Sequence, residues 1–368
     1  MSKQPNYWSH QYQKLKNYRN QLAVALSLIA VSTLNTPLYA ADAIAYLPST
    51  SVYAPSTPLP AVSARKTRPT IALALGGGGV RGAAHVGVLK VFERENLPID
   101  FIAGSSMGAI VGGMYAAGVR LETIEQMFLD RSLFKAFTPV PDTVKMMAIP
   151  ASAILRSAKI ALGMKTNLIG LHSSNNVAAF VSKHVAPYRR SIEHSEIPFV
   201  AVATNLLDGK PITLEYGNLG RALQASSAIP FYVKPIAIDG KLLVDGALRS
   251  NVPTLQARQS HADIVISVNV DEDLQNISPT ELARATPYGN RVLSILLSEL
   301  DGHHSDYADV EIHPNLTPMP LYSRKSRDAE RAMKAGEQAA QDALQQILAI
   351  LNTKLAREDN EAATVANF

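Results

Sequence analysis

The 368-residue chain contains no cysteine. That absence excludes a disulfide scaffold, a cysteine-ligated zinc, an iron–sulfur cluster, a thiol nucleophile and a lipoprotein-type acylated cysteine. Tryptophan occurs once, at Trp8. The apolar run near the N-terminus, Leu22–Leu34, is 13 residues long, well short of the ~20 that cross a bilayer as a helix. With 47% apolar and 18% charged residues, collagen-like, disordered and multi-span membrane classes are ruled out as well. The length fits either two domains or one large α/β domain of ~250–300 residues.

Residues 1–40 lack acidic side chains altogether, although Lys3, Lys14, Lys16 and Arg19 are present. A basic stretch, a short apolar run and Leu38-Tyr39-Ala40 before Ala41 describe a secretory signal peptide over 1–40. The expected destination is the periplasm, the cell envelope or the medium. Residues 41–69 hold Pro48, Pro55, Pro58, Pro60 and Pro69 among serines and threonines and read as an exposed linker. The formal net charge of +4 comes from 35 basic against 31 acidic residues. Its excess lies entirely in 1–40, so it gives no reason to expect a nucleic-acid partner.

From Thr70 onward strands and helices alternate. Thr70–Leu75, Ile99–Ala103, Phe199–Thr204, Ile212–Tyr216, Ile236–Ile238, Leu242–Val244, Asp263–Val270 and Ala308–Ile312 read as strands. Asp208-Gly209 and Asp239-Gly240 mark hairpin turns. Helices are expected at about 82–95, 107–117, 219–227 and 324–356, with helical and irregular chain between 121 and 190. This pattern implies a layered α/β fold with a mostly parallel central sheet flanked by helices. Residues 70–258 form the expected core, and 259–368 complete the same domain.

Two glycine motifs follow the first two strands. Gly76-Gly77-Gly78-Gly79-Val80-Arg81-Gly82 includes a formal dinucleotide fingerprint, Gly77-x-Gly79-x-x-Gly82, for which Glu93 or Glu95 would be the ribose ligand. Glycines at a helix start leave backbone N–H groups open to any anion, including the oxyanion of acyl transfer. The second motif, Gly104-Ser105-Ser106-Met107-Gly108, is G-x-S-x-G between a strand and a helix. That context presents Ser106 as a nucleophile on a sharp turn.

A serine hydroxyl needs a base. His85, His172, His184 and His194 precede any suitable acid, and His261, His303, His304 and His313 follow no clear strand end that would face Ser106. His85 reads as a packed or surface imidazole in the first helix. Asp245-Gly246-Ala247 ends a strand and opens into a loop, so Asp245 is either the base or a turn-forming residue. Asp271-Glu272-Asp273 reads as a solvated acidic turn rather than a cation site. Residues 142–165 combine Lys145, Arg156, Lys159 and Lys165 with Met146, Met147 and several aliphatic residues. They form either a cationic lid that dips into lipid or a helix packed on the sheet.

Gly77-x-Gly79-x-Arg81-Gly82, Gly104-x-Ser106-x-Gly108 and Asp245-Gly246-Ala247, in this order, resemble the three signatures of patatin-like phospholipases. The resemblance extends to Ala203-Thr204-Asn205-Leu206, Ala225-Ser226-Ser227-Ala228-Ile229-Pro230 and Asn251-Val252-Pro253. It points to the branch that includes bacterial patatin-like proteins and the catalytic domain of neuropathy target esterase. The resemblance implies a Ser106–Asp245 dyad without histidine. Gly77, Gly78 and Gly79 would supply oxyanion N–H groups, with Arg81 beside them and Gly82, Gly104, Gly108, Gly246 and Ala247 supporting the motifs. It further implies hydrolysis of lipid acyl esters at a lipid or membrane surface, with no cofactor, metal or nucleotide. A catalytically silent lipid-binding scaffold is the alternative.

Overall fold

The computed structural model describes residues 68–137 and 175–366, apart from 231–232, 272–273, 275, 281, 283–287, 289–290, 293, 296–297, 299–306 and 324. The expected signal peptide, nearly all of the linker and the cationic segment 142–165 lie outside the described residues.

Among the described residues eight strands make one sheet. In chain order they are β1 (Ile71–Leu75), β2 (Phe101–Ser105), β3 (Phe199–Asn205), β4 (Pro211–Leu214), β5 (Ile236–Ile238), β6 (Lys241–Asp245), β7 (Ile264–Val268) and β8 (Val310–Ile312). Followed from one hydrogen-bonded neighbour to the next they run β5-β6-β3-β2-β1-β7-β8, with β4 paired to β3 off this path. The run β3-β2-β1-β7-β8 is parallel, whereas β4 and β6 run antiparallel to β3. The sheet is therefore mixed, with the expected parallel centre and an antiparallel end.

The helices are α1 (Ala84–Arg94), α2 (Met107–Ala116), α3 (Leu121–Leu129), α4 (Ser132–Phe137), α5 (Asn175–His184), α6 (Leu219–Ser226), α7 (Thr254–Gln259) and α8 (Ser326–Ala366). Side chains alternate across a strand, and β1 uses both directions. Ile71, Leu73 and Leu75 join the large core that includes Val88 and Leu89 of α1, Ile110 of α2 and Ala332 and Ile347 of α8. Ala72 and Ala74 face a smaller core with Val252 and Ala257. Burial on both faces explains why the central strands are almost wholly apolar.

The two hairpins form where the Asp-Gly pairs stand. Asp239 and Gly240 both have positive φ, 48° and 72°, as a type I′ turn between β5 and β6 requires. Helices α1 and α8 meet backbone to backbone, since a Cβ on Gly336 would fall on the Ala84 carbonyl and one on Gly87 on the Met333 carbonyl. The first expected helix starts later than its glycine run. Residues Gly79–Ala83 form a 3₁₀ turn before α1 begins at Ala84.

Candidate active site

Strand β3 brings the two ends of the site together. Ile102 N–H donates to Pro198 O, and Leu206 N–H donates to Leu242 O. Backbone groups at even separation along a strand point the same way, so β2 and β6 share one edge of β3 and approach from opposite directions. In register, Ser105 lies opposite Val202 and Asp245 opposite Ala203. The carboxyl ends of β2 and β6 thus abut, although Ser106 and Asp245 are far apart in the chain.

Ser106 stands on the turn between β2 and α2 with φ 51° and ψ −119°. A non-glycine residue there stores about 1–3 kcal/mol of strain. The flanking glycines have steric causes: a Cβ on Gly108 would fall on the Leu75 carbonyl, and one on Gly104 would lie 2.5 Å from Ala109 Cα. The Ser106 hydroxyl donates to Asp245 Oδ2 at 2.7 Å. The other carboxylate oxygen, Oδ1, accepts the Ala247 N–H at 2.9 Å. Burial pushes the Asp245 carboxyl up to about 6, while the Ala247 N–H and the Ser106 hydroxyl hold it down. Gly246 is required after it, because a Cβ there would meet the Val202 carbonyl. Asp245 thus binds Ser106 and also caps its own 3₁₀ turn.

The glycine loop lies against this pair. A Cβ on Gly77 would stand 3.0 Å from Ser106 Cβ and 2.7 Å from Asn251 Oδ1. The three glycines expected to face an oxyanion are not equivalent, however. The Gly77 N–H already donates to Asn251 O at 3.1 Å. The N–H groups of Gly78 and Gly79 take no acceptor among the described residues. Gly79 has φ 56°, a conformation that glycine adopts without steric cost. Its Cα faces the Leu321 carbonyl, which accepts the Val80 N–H. Gly82 allows the start of α1 to touch Met107, whose side chain would occupy the place of a Cβ.

Arg81 lies next to the loop, its N–H donating to Gly78 O at 3.0 Å, but its side chain is only 1% exposed and donates from Nε to Met319 O at 2.8 Å. Its guanidinium also lies 3.7 Å from Asp271 Oδ1. Asp271, expected in a solvated turn, is buried for the same reason: it pairs with Arg81 and accepts Asn251 Nδ2–H at 3.0 Å. A buried carboxylate needs such partners. Arg81, Asn251 and Asp271 thus tie the glycine loop to the chain after β7 and to the loop before α8.

The histidines take no part in the dyad among the described residues. His85 is fully buried with Nε2 2.7 Å from Gly76 O, and His313 Nε2 lies 3.2 Å from Asp271 O. Glu93 and Glu95, the alternative ribose ligands, stand at the far end of α1. A helix of 11 residues spans ~16 Å, so neither reaches the glycine loop. No cluster of three or more His, Asp or Glu suited to a metal occurs among the described residues.

One residue of the site had no role legible in its motif. The Ser226 hydroxyl accepts the Ser106 N–H at 3.0 Å and donates to Val202 O at 2.6 Å. It supplies the partner that the strained turn leaves its own backbone without. Its signal was the Ala225–Pro230 segment, which stood out only through resemblance.

The family profile described as patatin-like phospholipase matches residues 73–258, the segment that contains both glycine motifs and Asp245. The chain belongs to the patatin-like phospholipase family. Among curated relatives it is 36% identical over 220 residues to an uncharacterized NTE family protein of Mycobacterium tuberculosis, covering 58% of this chain and 53% of that one. It is 30% identical over 203 residues to patatin-like phospholipase domain-containing protein 6 of Homo sapiens, covering 55% and 13%. Lysophospholipase NTE1 of Kluyveromyces lactis is 30% identical over 200 residues, covering 54% and 12%. The chain therefore spans about half the length of its mycobacterial relative and a much smaller part of the other two. The patatin-like segment ends at residue 258, yet its glycine loop is held by Val268, Met319 and Leu321 beyond it.

Proposed function

We propose that this patatin-like chain is a serine acyl hydrolase that cleaves acyl ester bonds of lipids, phospholipid or lysophospholipid, through a Ser106–Asp245 dyad. The observation that carries the reading is the 2.7 Å hydrogen bond from the Ser106 hydroxyl to a buried Asp245 carboxylate, set against a loop with two open N–H groups. Names of relatives that include phospholipase and lysophospholipase support the substrate class.

Asp245 accepts the hydroxyl proton as Ser106 Oγ attacks the ester carbonyl carbon. The negative oxygen that forms is stabilised by the Gly78 and Gly79 N–H groups, each such donor being worth about 10²–10³ in rate. Collapse expels the alcohol, which takes the proton from Asp245 and leaves an acyl-Ser106 ester. Water then attacks that ester with Asp245 again as base, releasing the fatty acid and restoring the hydroxyl. A carboxylate raised to about 6 is a stronger base than an ordinary aspartate and remains ionised at neutral pH.

A fluorophosphonate probe tests the reading. The expected result is a covalent adduct on Ser106, found by peptide mass spectrometry, together with release of fatty acid from a mixed lipid extract that the probe abolishes. Lipid binding without labelling or release would favour the silent scaffold instead.

Export is a further part of the proposal, resting on the composition of residues 1–40. Trp8 is the only tryptophan, so protein recovered from the export compartment is expected to lack tryptophan emission. Emission at the intensity of one tryptophan per chain would contradict removal of the segment. The proposed partner is a lipid surface, with the cationic residues of 142–165 as its contact.

A further inference from the structure

Four consecutive glycines, Gly76–Gly79, leave the orientation of their peptide planes almost free of steric control. A peptide that flips exchanges the places of its N–H and C=O, which would turn an anion-binding loop into an anion-repelling one. Hydrogen bonds must therefore supply what side chains do not.

The plane between Gly76 and Gly77 is held on both edges. Its C=O accepts from His85 Nε2 at 2.7 Å, and its N–H donates to Asn251 O at 3.1 Å. Because a peptide unit is rigid, two bonds on opposite edges fix its direction. The carbonyl only accepts, so the His85 ring proton resides on Nε2 and the ring is the neutral donor tautomer. The remaining nitrogen, Nδ1, is buried without a hydrogen-bond partner. Ionising the ring would bury a charge, and burial accordingly lowers the His85 pKa to about 4. His85 is thus a neutral donor at the pH where Asp245 is ionised, and it does not touch the Ser106 hydroxyl.

We propose that His85 is a positioning residue for acyl transfer: its Nε2–H holds the Gly76 carbonyl and so directs the following N–H groups of Gly78 and Gly79 toward the carbonyl oxygen of the substrate. The imidazole that a serine hydrolase ordinarily devotes to its nucleophile here serves the oxyanion loop. This assignment rests on the hydrolase reading above. The mechanism given there uses no histidine, and a core histidine with a purely structural role would not separate kcat from KM.

The test compares wild type, His85→Leu, His85→Gln and Ser106→Ala on a nitrophenyl ester, with circular dichroism to establish folding. His85→Leu removes the donor, and kcat is expected to fall at least about tenfold with KM within about twofold. His85→Gln, which presents an amide N–H, is expected to recover kcat to within about threefold of wild type. The rate of fluorophosphonate labelling of Ser106 should follow the same order. In wild-type protein labelled with ¹⁵N-histidine, the His85 ring should be neutral with its proton on Nε2 from pH 5 to 9, a measurement that needs no variant to fold. Wild-type kcat in folded His85→Leu, or a proton on Nδ1, would overturn the assignment. Wild-type turnover that persists in Ser106→Ala would instead overturn the hydrolase reading, and the positioning role of His85 with it.

Discussion

Replacing Ser106 by alanine is expected to reduce hydrolysis of a nitrophenyl ester by about 10⁴–10⁶-fold, leaving only the residual rate that the oxyanion loop and substrate binding supply. In the proposed mechanism the oxygen removed is the one that forms the acyl intermediate, and no other hydroxyl or imidazole among the described residues hydrogen-bonds Asp245. The fold should survive, because the backbone of residue 106 remains tied to Ser226. The loss should nevertheless leave a mark on Asp245. The Ser106 hydroxyl lowers the Asp245 pKa, so its removal should carry that carboxyl further up. Ser106→Gly offers a second check. Glycine occupies φ 51° without penalty, so this variant should be equally inactive yet about 1 kcal/mol more stable to urea than Ser106→Ala. Turnover within about tenfold of wild type in purified Ser106→Ala would dismiss the dyad.

The second large effect concerns pH and separates activity from stability. In the proposed mechanism only the ionised Asp245 takes the serine proton, so kcat/KM is expected to be flat above its pKa of about 6. Below that pH it should fall about tenfold per pH unit. The stability contribution runs the other way. Because the folded value is raised from 3.8 to about 6, protonation favours the native state. That contribution is complete below pH 3.8 and is lost as the pH rises through 6. At pH 8 the fold bears a buried charge at a cost of about 3 kcal/mol. Asp245→Asn removes this charge and keeps a side-chain oxygen for Ala247 N–H. It should abolish turnover while raising Tm at pH 8, and the Tm difference should narrow toward pH 4. Equal Tm values at pH 8 would mean that the buried Asp245 carboxylate carries no such cost.

Local chemistry accounts for what could be read in the sequence. Strands β1, β2 and β7 were legible because strands covered on both faces are written as apolar runs, and the hairpin at Asp239-Gly240 because turn geometry depends on two residues. Ser106 could be recognised from the strand, turn and helix around it. What escaped was long-range. Arg81 sits in a glycine motif, but its partners Met319 and Asp271 arrive about 190 or more residues later. Asp271 resembled a solvated acid because two acidic residues follow it, and nothing local signals that a buried guanidinium awaits it. The engagement of Gly77 depends on Asn251, whose carbonyl is placed by the loop after Asp245. Helix α7, of six residues, is too short to leave a periodic pattern. The antiparallel entry of β6 along β3, which joins the dyad, depends on sheet order, which periodicity does not encode.

Sheet order also determines which fragments of the chain can exist alone. Strand β7 lies between β1 and β8, yet both β7 and β8 follow residue 258, where the family match ends. A fragment cut there would expose one side of Ile71–Leu75, five buried apolar residues, as an unpaired row of amides and carbonyls. Such an edge is a template for pairing with other chains. The piece that carries every recognisable signature would therefore be the one most prone to aggregate, and the unremarkable C-terminal third is what covers that edge.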